Sequence, residues 1–246
     1  MNLQMVERVS LFGLPVDIEV TKAEVSAGIA TGELLMTYLN PLAYYISSQY
    51  PNYPAQLERF NLIICDGLGV QKAVKRVFGK ITPVISPDFS GIGRAIFESG
   101  AKANYSLCLV GGKPGMTKLA AEKIAGEFPG YQRIDSFDGY GNSVGDAKRH
   151  ILRHAPDMLM VGMGMGRQEA YLLELVDAGW KGVGICVGGV LDKVAQPERF
   201  YYPKWSEKAN LRFLGRLVKE PRRMSRRYFL EYQPFIKAYL NHYLKR

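Results

Sequence analysis

Paired cysteines, histidine clusters and long apolar runs are all missing from this chain, and each absence removes a class of protein. Cys65, Cys108 and Cys186 are far apart, and each sits inside an apolar run: LIICD, SLCLVGG and GVGICVGG. Without a Cys-x-x-Cys pair they read as buried reduced thiols in strands, which excludes a disulfide scaffold or a thiolate metal centre. Histidine occurs three times. His150 and His154 stand four apart on one expected helix, a spacing zinc can use, but no acidic partner or third ligand completes a zinc motif, and an exposed helix face is the simpler reading. No run of about 18 apolar residues could span a bilayer, and no charged-then-apolar leader is present, so a cytoplasmic protein is expected.

What is present is enough for one sizeable core: 246 residues with 47% apolar content suit one domain with an appendage. Charge divides the chain unevenly. From Lys204 onward there are five Lys and seven Arg against Glu207, Glu220 and Glu231, so residues 204–246 carry the whole net charge of +9 and residues 1–203 are neutral. Such a tail can bind nucleic acid, an anionic membrane surface, or phosphates in the protein's own site. Phe213, Phe229, Phe235, Tyr239 and other apolar groups interleave with its cations at near-helical spacing. That pattern fits either an interfacial helix or an amphipathic helix packed on the body or on another subunit. A nucleic-acid partner is not expected, since the neutral body has no recognised nucleic-acid module.

Short apolar runs alternate with helical stretches, the pattern of an α/β fold with a Rossmann-like, largely parallel sheet flanked by helices. Strands are predicted at Leu34–Tyr38, Leu62–Cys65, Tyr105–Val110, Gln132–Ser136, Met158–Val161 and Gly182–Val187. Helices are predicted at Pro41–Gln49, Val70–Phe78, Phe89–Ala103, Gly115–Glu127, Ser143–His154 and Gln168–Ala178. Pro203 marks the boundary between body and basic tail, and Pro221 and Pro234 divide the tail into short helices. Ligands of open α/β sheets bind beyond the carboxyl ends of the strands. There the chain has Asn40, Asp66-Gly67-Leu68-Gly69, Gly111-Gly112-Lys113-Pro114-Gly115, Asp138-Gly139-Tyr140-Gly141, Gly162-Met163-Gly164-Met165-Gly166-Arg167-Gln168-Glu169 and Gly188-Gly189. Glycines between strand and helix admit an anionic ligand close to backbone N–H groups. The GMGMGR run has the wrong spacing for a dinucleotide fingerprint, and GGKPG lacks the Lys-Ser/Thr pair of a P-loop.

Taken in order, Asn40, CDGLGV, LVGGKPG, FDGYG, VGMGMGRQE, VGGVLD and EPRRMSRRY resemble the motifs of the WecG/TagA/CpsF glycosyltransferases, family 26. The likeness runs from about Leu11 to Tyr228. It implies a metal-independent, inverting enzyme without a cofactor, which moves a hexosyl unit from a UDP-sugar to an undecaprenyl-diphosphate-linked saccharide in exopolysaccharide or cell-wall polymer synthesis. It also implies a homo-oligomer held peripherally at the inner face of the plasma membrane. Asp66 becomes the candidate general base, a carboxylate able to reach an acceptor hydroxyl; the competing role is a helix N-cap. Gln168 and Glu169 can hold ribose hydroxyls or the uracil edge, or simply enrich a first helical turn. Asn40, Gly67, Gly111, Gly112, Asp138, Tyr140, Gly162, Gly164 and Asp192 line the same rim, with Tyr140 equally a packing residue and Asp192 binding or capping.

Arg216, Arg223 and Arg226 match tail arginines that fold over the site. No Asp-x-Asp motif occurs, and guanidinium groups suit a diphosphate leaving group because they bond it bidentately and keep their charge. The chain departs from the family pattern at Tyr38, at Pro83 and at Gly166-Arg167, positions around the sugar and acceptor, so the resemblance leaves the transferred sugar open. The alternative reading of these departures is a non-catalytic nucleotide-sugar-binding or assembly subunit.

Overall fold

The computed structural model describes residues 6–89, 91–196 and 221–244, with the side chain of residue 223 excepted. Two strands come first, β1 (Glu7–Leu11) and β2 (Leu14–Ile18), paired antiparallel with Leu11 opposite Leu14. Phe12 and Gly13 form the two-residue turn, both at positive φ, the conformation whose twist matches a hairpin. The predicted strands do not include this hairpin. Its anchor is Asp17, which accepts hydrogen bonds from Arg8 Nε (2.8 Å), Arg8 Nη2 (2.9 Å) and the Ile63 amide (2.7 Å), tying the hairpin to the neighbouring sheet strand. Helix α1 (Lys22–Ala30), also unpredicted, begins with a capping box in which Thr21 and Glu24 satisfy each other's backbone amides.

The main sheet contains β3 (Leu34–Leu39), β4 (Leu62–Cys65), β5 (Ser106–Gly111), β6 (Arg133–Asp138), β7 (Met158–Gly162) and β8 (Val183–Cys186). All six are parallel, in the order β4-β3-β8-β7-β5-β6. The predicted strands thus exist, β4 with the predicted bounds and the others with one or both ends shifted by one or two residues. The inner strands are continuous apolar runs because helices cover both faces; edge strand β6, RIDSFD, mixes polar and apolar residues and is only partly buried.

On one face lie α2 (Leu42–Gln49), α3 (Tyr53–Glu58), α7 (Asn142–His154) and α8 (Arg167–Asp177), with α3 touching α8. Helices α4 (Leu68–Phe78), α5 (Gly93–Lys102), α6 (Met116–Glu127) and α9 (Val190–Ala195) cover the other, where α9 packs on α6 and α1 on α5. This is the arrangement that right-handed crossovers produce. Short helices α3 and α9 are absent from the sequence prediction. The expected helix from Phe89 starts only at Gly93, because a tight turn precedes it: the Gly91 and Gly93 amides both donate to the Asp88 carbonyl.

The three thiols lie buried in β4, β5 and β8, as the pattern of apolar runs implied. His150 is not the open surface expected. It is half-buried against Phe137, with Nε2 3.0 Å from Asp135 and its ring stacked on His154. A tertiary neighbour on β6 gave this residue its partner.

The tail re-enters as α10 (Pro221–Arg226), a π-helical turn (Arg227–Glu231) and α11 (Gln233–Leu244). Each proline sits in a first helical turn, where its missing N–H costs nothing. Phe235 is the anchor. It packs among Phe12, Tyr44 and Tyr239, while Arg76 stacks on Tyr243. The predicted boundary at Pro203 and candidate Arg216 lie outside the described residues. No described helix is long and apolar enough to cross a membrane.

Candidate active site at the carboxyl rim of the sheet

Chain connections diverge between β5 and β7: β5 leads outward to β6, and β7 leads back to β8. Adjacent loops separate at such a point and leave a crevice. Its floor is a row of glycines. A Cβ on Gly139 would come within 2.9 Å of the Gly111 α-carbon, one on Gly111 would overlap the Gly162 carbonyl, and one on Gly162 would lie 2.5 Å from the Gly188 oxygen. Gly111 and Gly162 therefore let four strand ends pack backbone against backbone. Gly67 and Gly164 differ: both have positive φ, and a Cβ on either would meet nothing within 4 Å, so they face open space.

The loop between β5 and α6 does not present its amides to a ligand. Gly112 N–H donates to the Gly162 carbonyl (3.1 Å), Lys113 N–H to Asp192 Oδ1 (2.9 Å), Gly115 N–H to Asp138 Oδ1 (3.1 Å) and Met116 N–H to the Lys113 carbonyl (3.0 Å). Pro114 has no N–H. The phosphate cradle that the glycines suggested is thus internally occupied, and Asp138 and Asp192 hold the loop. Tyr140 is 52% exposed, with the Arg167 guanidinium 5.5 Å from its ring centroid, which makes it a rim residue and not a core one.

At the other end of the rim, Asn40 follows β3 and Asp66 follows β4. Asn40 Oδ1 accepts the Leu42 amide (3.0 Å), fixing the start of α2, and its Nδ2 donates to Asp66 Oδ2 (3.3 Å). Asp66 is partly exposed. The N-cap position of α4 is Gly67, one residue beyond it. A carboxylate aimed from a strand end and oriented by a rigid amide suits proton transfer with an incoming hydroxyl.

Gln168 and Glu169 have no exposed surface. Glu169 Oε1 accepts from Thr37 Oγ1 (2.8 Å) and Gln168 Nε2 (2.9 Å), its Oε2 accepts the Gly166 amide (2.5 Å), and Gln168 Oε1 accepts the Gly188 amide (2.9 Å). Burial pushes the Glu169 carboxyl above its ordinary pKa, against the hydrogen bonds from Gln168 and Thr37 that hold it down. The pair joins β3, the β7–α8 turn and the β8 turn beneath the rim. Tyr38, its pKa raised by burial and its side chain bonded to Gln168, packs its hydroxyl against Gly188 in the same network.

Part of the tail packs beside these turns. Phe235 and Pro41 flank Gly69, so α11 abuts the turns bearing Asn40 and Asp66. Arg226 lies 3.4 Å from Glu231, and Arg227 lies 3.7 Å from the same carboxylate. Arg223 is in α10, with its side chain outside the described part of the chain. Residues not among the candidate site residues are Thr37, Arg167, Phe235 and the ion pair of Lys193 with buried Asp88 (2.9 Å). Arg167, at the first position of α8, was legible as a substituted motif position; the others depend on contacts between distant segments. Among the described residues, no three His, Cys, Asp or Glu converge as a metal-binding group.

A wholly parallel sheet whose connections diverge at a switch point, with an amide-bonded carboxylate at its carboxyl rim, is an architecture of the open α/β class. The sequence profile of the glycosyl transferase WecG/TagA/CpsF family matches residues 9–246, and the chain belongs to that family; it is a glycosyltransferase. Over 209 residues it is 25% identical to a UDP-Gal:alpha-D-GlcNAc-diphosphoundecaprenol beta-1,4-galactosyltransferase of Shigella boydii, covering 84% of this chain and 86% of that protein. It is also similar to the N-acetylglucosaminyldiphosphoundecaprenol N-acetyl-beta-D-mannosaminyltransferase of Bacillus subtilis strain 168, 24% identical over 78% of this chain and 74% of the relative. The Bacillus spizizenii enzyme of the same name is 23% identical over 82% of this chain and 77% of its own length.

Proposed function

We propose that this enzyme transfers a hexosyl unit from a UDP-sugar to an undecaprenyl-diphosphate-linked saccharide, with inversion and without a metal, in exopolysaccharide or cell-wall polymer synthesis. The observation that carries the reading is the Asn40–Asp66 pair at the carboxyl rim of the sheet. Asp66 takes the acceptor hydroxyl proton as that oxygen bonds to the anomeric carbon. The carbon–oxygen bond to the diphosphate breaks on the opposite face, and its electron pair leaves with UDP. Relatives named for diphosphoundecaprenol acceptors support the acceptor class. Losing the base costs about 10²–10⁴ in rate. The test is UDP release with membrane-extracted lipid acceptor and a panel of UDP-sugars, for wild type and Asp66→Asn, with and without EDTA. Turnover that survives EDTA and vanishes in the variant is expected; inhibition by EDTA would overturn metal independence, and UDP binding without turnover would favour a binding subunit.

The tail reads as the membrane contact. Ile236, Leu240, Tyr243 and Leu244 repeat at helical spacing on an exposed face of α11, near exposed Phe229 and Leu230, with Arg222, Arg226 and Lys237 also exposed. Apolar groups bordered by cations suit an anionic headgroup layer. Co-sedimentation with phosphatidylglycerol vesicles but not phosphatidylcholine vesicles is expected, and Leu240→Glu should weaken it; equal binding to both vesicles would remove the electrostatic part.

A further inference from the structure

The β5–α6 loop crosses the rim at the crevice, yet its own sequence cannot hold it there. Gly112 and Gly115 have positive φ and no side chain, and the α6 N-terminus has no side-chain cap. Two carboxylates from elsewhere supply the missing contacts. Asp192, in the first turn of α9, accepts the Lys113 amide, and Asp138, the last residue of β6, accepts the Gly115 amide. They grip alternate residues of the same loop, so the backbone between them is fixed from two sides.

We propose that Asp138 and Asp192 are positioning residues that strap the Gly112–Gly115 loop at the mouth of the donor crevice, and that they act through this loop and not by touching the donor. The proposal rests on the crevice being the UDP-sugar site. Geometry dictates what each strap needs: one oxygen acceptor, which an asparagine supplies as well as an aspartate, and no negative charge. A carboxylate that received ribose hydroxyls or a proton would make the opposite demand.

The experiment compares Asp138→Ala, Asp138→Asn, Asp192→Ala and Asp192→Asn in the full chain, with two readouts. Donor kinetics come first: each alanine variant should raise the donor KM about tenfold or more with kcat within about threefold, and each asparagine variant should stay within about threefold of wild type in both. Amide exchange, followed by NMR without any substrate, comes second. The Lys113 amide should exchange about tenfold or more faster in Asp192→Ala, and the Gly115 amide in Asp138→Ala, with protection restored by asparagine.

Asparagine variants as impaired as alanine, with both amides still protected, would overturn the proposal by showing that the charge itself is needed. Unchanged exchange in the alanine variants would overturn it equally. If an alanine variant does not fold, the asparagine variants decide alone: a rise in donor KM of about tenfold refutes the straps. If wild type turns over no UDP-sugar, the functional reading fails while the exchange measurement still tests the loop.

Discussion

Removing the Glu169 side chain should loosen the links among β3, the β7–α8 turn and the β8 turn at once. Glu169→Ala strands the Gly166 N–H and the Gln168 Nε2, two donors that cannot rotate to new partners, whereas the Thr37 hydroxyl can turn. An unsatisfied buried donor costs about 1–3 kcal/mol. Water entering the vacated space recovers part of this, so the expected loss is about 2–4 kcal/mol, a large share of a typical ~5–15 kcal/mol total. Glu169→Gln should lose about half as much, since its carbonyl can serve Thr37 and Gln168 while its NH₂ faces the Gly166 N–H. The flipped orientation is no better, because Gln168 is held in place by the Gly188 amide.

Stability should also carry a pH signature. Burial raises the Glu169 pKa, so the folded state holds this proton more tightly than the unfolded chain. The group's contribution is then fully present below the ordinary carboxyl pKa and is lost as pH rises through the raised folded value. Glu169→Ala should remove that slope, and its cost should shrink across the same window. Urea denaturation followed by circular dichroism at several pH values measures both effects as shifts in midpoint at constant slope. A loss below about 1 kcal/mol at pH 7, together with an unchanged donor KM, would refute the claim that this buried network holds the rim.

Asn40→Asp keeps an oxygen to cap α2 but sets a second carboxylate about 3 Å from Asp66; repulsion then favours the protonated base, and the acidic limb of the kcat/KM profile should move to higher pH with little change in melting temperature. Gly162→Ala forces a Cβ to within 2.5 Å of the Gly188 oxygen, with an expected loss of about 1–3 kcal/mol in urea denaturation, while Gly164→Ala meets open space and should cost only its backbone strain, about 1–2 kcal/mol. The native protein should not react with Ellman's reagent at pH 8, because all three thiols are buried and Cys65 is pushed up to about 12; three thiols should titrate after denaturation, and rapid reaction of the native protein would contradict the packing of β4, β5 and β8.

Much of the architecture was legible because its signals are local. Runs such as LIIC and MLMV are too apolar for any exposed strand, and the glycines that follow them mark strand ends, so the six parallel strands and the rim could be read directly. The hairpin escaped because its strands, ERVSL and LPVDI, are short and its turn, Phe12-Gly13, lacks the usual Asn or Asp. Asp66 and Asn40 were legible as strand-end residues; that one orients the other was not, since β3 and β4 contribute them separately.

The sequence by itself determined which segments become strands, which turns carry glycine, and which family the ordered motifs resemble, because hydrophobic period and backbone freedom are properties of neighbouring residues. Only the tertiary structure decided what the motif side chains do. Gln168 and Glu169 open a helix and look available, yet the packing of β3 and β8 buries them as a brace. Asp138 and Asp192 look like two binding carboxylates, yet the folding of β6 and α9 toward one loop gives both the same backbone to hold. Burial and hydrogen-bond partners come from segments far apart in the chain, and no local pattern encodes them.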